Sequence, residues 1–273
     1  MWLDAIMIFP IIMMGLERLI EKKDGRLYCI ALFYALYCNY YIAFMICIFA
    51  VIWYLLYSFK SIKQFFFRGI AFAFYSFLAA GMAAILLIPA YMGIKQTASG
   101  ETMQLPEHSF LTSVADLLNR QFALWSPISH DNFDGNANLY IGIFSVLAVG
   151  LYVLNGEIKV SEKIKKVLLI GLFYLSFSEM ILNFIWHGFH DQYGIPNRFS
   201  FLFGFVLLYM LWEVFEHLEG VKGWHAAFAC MAGVALMAYA KLKGTQVLED
   251  NVYGVAGMLL LLYGMLSVSY THL

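Results

Sequence analysis

Charged side chains are scarce in this sequence. Asp, Glu, Lys and Arg make up 13% of the 273 residues and hydrophobic residues 62%, whereas soluble domains carry about 25% charged residues. The composition therefore excludes an ordinary soluble protein and predicts an integral membrane protein. The net charge is only -1, and the few Lys and Arg residues are scattered, which excludes a basic surface for nucleic acid.

Cysteine is also rare, with four residues and no CxxC spacing. All four lie in apolar runs, so we interpret them as small core residues and not as metal ligands or disulfide partners. A basic leader of the secretory type is missing too, because Met1 is followed at once by an apolar run. We expect the chain to be the middle part of a larger membrane protein.

Long apolar runs are what the sequence has in abundance. A membrane-spanning helix needs about 20 apolar residues, because the hydrocarbon core is about 30 Å thick and each residue adds about 1.5 Å. Seven runs fit or nearly fit this length: Trp2 to Ile20, Gly69 to Met92, Leu139 to Leu154, Val167 to Ile185, Phe199 to Glu216, His225 to Ala240 and Val252 to Tyr270. We predict an all-α fold, with a single polytopic domain over residues 1–273.

The run Leu27 to Phe59 is too long for one spanning helix. A turn at Asn39-Tyr40-Tyr41 would place eleven of the sixteen loop Lys and Arg residues on one side, whereas a single crossing would divide them eight and eight. Because positive charges concentrate in cytoplasmic loops, we predict a hairpin here and about nine membrane segments in all.

The loop Gly93 to Asn138 then lies on the outer face. Between Phe110 and Trp125, apolar residues recur near helical spacing, with Asp116, Asn119 and Arg120 between them. This pattern predicts an amphipathic helix on the membrane surface, with Ser109 as its N-cap.

Polar groups gather on the predicted helix that continues past Ile185. Glu179, Asn183 and His187 have helical i, i+4, i+8 spacing, and His190 flanks the same face. A carboxylate in lipid costs several kcal/mol unless it is paired. Glu179 and Asn183 are therefore substrate-contact candidates, although hydrogen bonding to a neighbouring helix explains Glu179 equally well.

His187 and His190 have three possible roles. Histidine exchanges protons readily near neutral pH and serves as a general acid or base. Two histidines three residues apart can also ligate a divalent metal, together with a carboxylate from another loop. A hydrogen-bonded structural role is the third. Spacing alone does not choose among them.

Arg198 follows Pro196 and Asn197 at the predicted start of the next helix. A guanidinium recognises phosphate with two parallel donors, and the first turn of a helix adds further N–H groups. We predict a phosphate-binding role, with an anchor to lipid headgroups as the alternative.

Two further stretches carry polar or aromatic candidates. Asp131 and Asp134 lie in SHDNFDGNANLYIG (Ser129 to Gly142), where carboxylates can accept a proton or hold a metal, although turns use the same residue types. Asn39, Tyr40 and Tyr41 at the outer turn are candidates to line a pocket.

The segments NYYIAFM (Asn39 to Met45), SHDNFDGNANLYIG and NFIWHGFHDQYGIPNRFSFLF (Asn183 to Phe203) resemble the YfhO family of bacterial membrane proteins, in their order as well as their residues. The resemblance covers nearly the whole chain. One departure is Asn197, where the family tends to show an aromatic residue before the Arg-Phe pair.

The resemblance implies a multi-pass protein of the bacterial cell membrane, related to the GT-C class of glycosyltransferases. Such enzymes transfer a sugar from a polyprenyl-phosphate carrier to a cell-surface acceptor, here teichoic acid and chiefly lipoteichoic acid. GT-C enzymes usually carry an essential acidic residue in their first outer loop, and the resemblance implies that this chain starts after it. Arg198 is implied to face a phosphate, and His187, His190, Asp131 and Asp134 the reacting groups.

Two alternatives stay open at this point. Glu179 and the break at Asn39 fit a transporter or flippase for a lipid-linked solute, although transporters usually place polar groups at the bilayer midplane. The chain can also be a non-catalytic membrane segment that packs against other subunits.

Overall fold

The computed structural model describes residues 2–96, 105–122, 128, 137–190, 195–245 and 249–271. Within these ranges the chain forms α-helices and no β-strand, with one isolated bridge between Phe110 and Glu179. The predicted all-α fold is confirmed. The described chain divides into two compact units, Met1–Leu105 with Phe184–Asp191, and Pro106–Asn183 with Gln192–Leu273.

The described residues of the first unit form five complete helices and the end of a sixth. They are α1 (Trp2–Lys22), α2 (Arg26–Cys38), α3 (Tyr40–Leu56), α4 (Ile62–Met82) and α5 (Ala84–Ile94), with the last residues of α9 (Met180–Trp186).

Helix α2 packs against α1, α3 and α4 in this unit. A Cβ on Gly15 of α1 would lie only 2.5 Å from the backbone nitrogen of Tyr28, so glycine is what allows α1 and α2 to approach this closely. The Tyr28 hydroxyl is 2.8 Å from Ser76 Oγ, which ties α2 to α4.

The predicted break at Asn39 is confirmed. Helix α2 ends at Cys38, and the extended Asn39 accepts a 2.9 Å hydrogen bond from the Ile42 N–H through its side chain. Asparagine is among the most favoured N-cap residues, because its short side chain satisfies an otherwise unpaired N–H group.

The predicted span Gly69 to Met92 is divided in the structure. Helix α4 ends at Met82 and α5 begins at Ala84. Gly81 and Pro89 flank this division, and both weaken a continuous helix: glycine is flexible, and proline has no N–H to donate to the Ile85 carbonyl.

The other helices of the described chain belong to the second unit. They are α6 (Val114–Asn119), α7 (Phe144–Leu154), α8 (Val160–Ser178), the start of α9, α10 (Ser200–Glu216), the 3-10 turn Leu218–Gly220, α11 (Gly223–Lys243) and α12 (Asp250–Thr271). Helix α7 packs against α10, α11 and α12, while α6 contacts α8 and α11.

The prediction of a long amphipathic helix from Ser109 is wrong. The helix is α6, with six residues, and its N-cap is Ser113, whose Oγ accepts from the Asp116 N–H at 3.1 Å. Asp116 and Asn119, expected to face water, are buried, because hydrogen bonds from Thr245 and Tyr253 replace water there.

Among the described residues, α4 and α11 are long and apolar enough to cross a membrane, by length and composition alone. Four shorter apolar helices, α2, α3, α5 and α7, have 10–17 residues. The number of nine membrane segments stays a prediction.

Candidate functional site

Helix α9 ends in a Schellman motif. The Phe189 N–H donates to the Phe184 carbonyl at 3.0 Å, and the Gly188 N–H donates to the Ile185 carbonyl at 3.2 Å. Gly188 has φ 79° and Phe189 φ 63°, and glycine is the residue that adopts this left-handed backbone without penalty. The Phe184 and Phe189 rings meet edge to face, 6.2 Å apart, as the apolar contact of such a motif.

This motif turns the chain so that two histidines meet one tyrosine. The ring of His190 stacks on that of Tyr41 with centroids 5.7 Å apart and an angle of 20°, and His187 lies 6.3 Å from the same ring. We call Tyr41, His187 and His190 the histidine–tyrosine site. His187 is fully buried at 0% exposure, whereas His190 and Tyr41 are partly exposed.

The other two residues of the predicted outer turn differ from Tyr41. Asn39 is the N-cap of α3, so its side-chain oxygen is engaged by the backbone. Tyr40 is exposed, and its ring contacts neither histidine ring in the described part of the first unit. Of the three, Tyr41 is the residue that the structure joins to the predicted histidines.

The prediction that Glu179, Asn183 and His187 share one face of a continuous helix is wrong. Helix α8 ends at Ser178, and Glu179 is extended, with φ -102° and ψ 130°. The neighbouring loop takes over the backbone pairing, because the Leu111 N–H donates to the Ser178 carbonyl at 2.7 Å and the Met180 N–H donates to the Ser109 carbonyl at 3.0 Å.

Glu179 acts as the cap of the helix that follows. Its buried carboxylate accepts hydrogen bonds from the Ile181 N–H at 3.1 Å and the Leu182 N–H at 2.8 Å, and His108 Nε2 lies 4.0 Å away. The positive end of a helix dipole stabilises such a carboxylate. These contacts favour the structural interpretation of Glu179.

Asn183 and Arg198 belong to the second unit. The buried Asn183 Nδ2 donates to Asn197 Oδ1 at 2.5 Å, and Asn197 has φ 51°, a left-handed backbone that asparagine tolerates better than most residues. Arg198 Nε donates to the Ile195 carbonyl at 3.1 Å, and its side chain is partly exposed. The Arg198 guanidinium is thus anchored through Nε and remains partly exposed.

Asp131 and Asp134 lie outside the described residues. Among the residues that are described, no group of three or more His, Cys, Asp or Glu side chains is arranged to hold a metal ion. The metal role predicted for His187 and His190 together with a carboxylate from another loop stays a prediction.

Sequence reasoning missed one polar cluster, which Ser113, Asp116 and Thr245 form in the second unit. Asp116 Oδ1 accepts from the Thr245 N–H at 2.7 Å, and Oδ2 accepts from Thr245 Oγ1 at 3.0 Å and from Ser113 Oγ at 2.6 Å. The available signal was Ser113 followed by an acid three residues later, the spacing of a capping box.

The chain matches a known protein family. The model of the family described as "Bacterial membrane protein YfhO" matches residues 1–272. Neither a curated protein nor a solved structure matches the chain.

Proposed function

Since the chain belongs to the YfhO family of bacterial membrane proteins, we propose that it serves a GT-C-like glycosyltransferase activity, in which a sugar passes from polyprenyl phosphate to a cell-surface acceptor such as lipoteichoic acid. The observation that supports this proposal is the stacking of the partly exposed His190 on Tyr41. A fixed imidazole beside an aromatic ring suits proton transfer from a sugar or glycerol hydroxyl.

The reaction is a displacement at the anomeric carbon of the donor sugar. The acceptor hydroxyl oxygen forms the new bond to this carbon, and the bond from the carbon to the phosphate oxygen breaks. Polyprenyl phosphate leaves with the bonding electron pair, and the imidazole of His190 takes the acceptor proton. Positioning of the hydroxyl next to its base supplies part of the rate enhancement.

The two histidines have different roles in this proposal. His190 is partly exposed and can touch a hydroxyl, so it is the catalytic base. His187 is fully buried beside the same tyrosine ring, so it is a positioning residue that holds Tyr41. Arg198 is proposed, on its own residue chemistry, to bind the donor phosphate.

The test is sugar transfer by membranes containing the full chain of which these residues are part. We expect His190→Ala to lower the transfer rate about 10²- to 10⁴-fold, the usual contribution of a general base. His217→Ala is the matched control, because His217 hydrogen-bonds the Glu213 carbonyl in the second unit and is no part of the proposed site. Unchanged transfer in His190→Ala contradicts the assignment.

Arg198 and the two aspartates are tested separately. Arg198→Ala should raise the donor KM more than it lowers kcat, since it removes binding of a group present in both ground and transition states. Asp131→Asn and Asp134→Asn examine the two carboxylates. If one of these carboxylates is the base, its replacement should lower kcat strongly. That aspartate would then take the place of His190 in the proposal.

A transporter or flippase is the second candidate, and the interrupted helices favour it. Helix breaks at Asn39 and Glu179 resemble the discontinuous helices that line transporter sites. The two candidates are separated by measuring movement of a lipid-linked sugar across proteoliposome membranes. Movement without any sugar transfer would support the transporter and contradict the transferase.

A further inference from the structure

A cleft of about 720 Å³ opens in the second unit between the segment Phe110–Ser113 and helix α8. Its described lining includes several hydroxyl groups and one carboxylate: Thr112, Ser113, Asp116, Tyr174, Ser178 and Thr245. We call it the head cleft. Its size is within the range of about 300–1,000 Å³ that small-ligand sites occupy.

A second cavity of about 450 Å³ adjoins the head cleft and shares two of its wall residues, Val114 and Tyr174. Its described walls come from α6, α7, α8, α10 and α11, and every lining side chain except Gln121 and Tyr174 is apolar. We call it the tail cavity. The lining includes the small residues Gly150, Ala229, Ala232 and Gly233, and Gly150 allows α7 and α11 to approach closely, because a Cβ there would lie 2.7 Å from the Ala229 Cβ.

The described lining of the head cleft also indicates which charge the head group of a ligand carries. Asp116 is the one charged side chain among its described lining residues. Three hydrogen bonds from Ser113 and Thr245 favour the ionised carboxylate. A phosphate headgroup would meet no Lys or Arg side chain among the described lining residues, whereas hydroxyl groups would meet both donors and acceptors.

We propose that the head cleft and the tail cavity together bind a glycolipid with an uncharged sugar head. The hydrocarbon chain fills the tail cavity, and the sugar hydroxyls bond to the hydroxyl groups of Thr112 and Ser113. Phe110, which is 66% exposed at the cleft, offers a ring against which the C–H face of a sugar packs. The ligand is therefore distinct from an anionic polyprenyl phosphate.

The head cleft and the tail cavity are lined by residues of the second unit and share no described lining residue with the histidine–tyrosine site. Binding needs no turnover. A chain that binds the glycolipid but transfers no sugar would leave this inference intact while contradicting the proposed transferase, so the two fail separately.

The test uses an octadecyl glucoside that carries a photoreactive diazirine in the middle of its chain. The purified full chain is placed in phosphatidylcholine nanodiscs with this probe and irradiated, and the labelled peptides are mapped by mass spectrometry. We expect labels on α7 and α11, whose residues line the tail cavity.

Ala232→Phe fills the tail cavity and is the first variant. Loss of as few as two buried methylene groups lowers affinity roughly tenfold, so labelling should fall by at least about that factor. Ala235→Phe is the matched control, because Ala235 lies on the same helix, is exposed and is not among the residues lining the tail cavity. Equal labelling in the wild type and in Ala232→Phe overturns the proposal.

Competition tests the head group. Unlabelled octadecyl glucoside should displace the probe, whereas octadecyl phosphate and octadecane should not. Phe110→Ala, at an exposed position that leaves the core intact, should weaken competition by the glucoside. Displacement by octadecyl phosphate or octadecane as strong as that by the glucoside would show that the site does not select a neutral sugar, and would overturn the assignment.

Discussion

The imidazole of His190 lies almost parallel to the phenol ring of Tyr41, with ring centroids 5.7 Å apart and 20° between the planes. The two residues are far apart in the sequence, and each is placed by a helix end. Asn39 caps the start of α3 just before Tyr41, and the Schellman motif at Gly188 ends α9 just before His190. Each of these two helix ends sets the backbone next to one of the two rings.

Removal of the Tyr41 ring should affect transfer through His190. Aromatic pairs contribute about 0.5–1.5 kcal/mol beyond their burial, so Tyr41→Ala should lower sugar transfer roughly two- to tenfold, while Tyr41→Phe keeps the ring and most of the activity. In a double-mutant cycle, Tyr41→Ala should add little to His190→Ala, because the stacked partner is already gone. Additive losses would show that the two rings act independently.

Replacement of Gly188 should destabilise the end of α9. A Cβ at this position meets no atom nearer than 3.9 Å, so the cost comes from the left-handed backbone at φ 79° and not from a clash. Gly188→Ala should lower the free energy of unfolding by about 1 kcal/mol, measured by denaturant unfolding in detergent.

Gly254→Ala is the control for that substitution. Gly254 lies inside α12, where a Cβ meets nothing within 4 Å, and alanine is a better helix former than glycine by about 1 kcal/mol. The control should therefore unfold at the same or a higher denaturant concentration. Equal destabilisation in both variants would contradict the role of the left-handed backbone at Gly188.

Loss of the Asp116 carboxylate should destabilise the second unit. It accepts two hydrogen bonds from Thr245, in the connection after α11, which join α6 to that connection, and a third from Ser113, the N-cap of α6. Hydrogen bonds to charged groups contribute about 1.5–3 kcal/mol. Asp116→Ala should lower the free energy of unfolding by about 2 kcal/mol or more. Asp250→Ala, at a carboxylate 87% exposed in an ion pair with Lys241, should lower the free energy of unfolding far less, because solvent screens an exposed ion pair. An equal loss of unfolding free energy in the two variants would contradict the role of Asp116 in joining α6 to Thr245.

Stability should depend on pH through Asp24, which lies between α1 and α2. Hydrogen bonds from the Arg26 side chain and backbone hold the pKa of Asp24 below its ordinary value. Because the folded state then binds fewer protons than the unfolded state, the contribution is complete above the ordinary aspartate pKa of about 3.9 and is lost as pH falls below it.

A comparison of thermal unfolding at neutral and acidic pH tests this dependence. Asp24→Asn should lower the Tm slightly at neutral pH and leave it unchanged at acidic pH, because protonation already removes the interaction in the wild type. Arg26→Gln should have the same pattern. If the Tm difference between the wild type and either variant is as large at acidic pH as at neutral pH, the stabilisation does not come from the ionised Asp24 carboxylate.

The interpretation of local patterns was reliable where one short segment decides the structure. Asn39 ended a helix as predicted, because capping needs only the side chain and the next few N–H groups. Gly188 carried a comparable signal for the end of α9, which the helical spacing of Glu179, Asn183 and His187 concealed. An i, i+4, i+8 pattern assumes a continuous helix, and a single glycine or extended residue invalidates it.

The sequence by itself determined the all-α class, the membrane family and the positions of most helices, because apolar composition, helical length and caps are local or additive properties. Only the tertiary structure decided that Glu179 caps a helix, that Asp116 is buried, and that His190 stacks on Tyr41 while His187 lies beneath the surface. Each of these depends on segments that are distant in the chain, and no spacing within one segment encodes which distant partner will satisfy its polar groups.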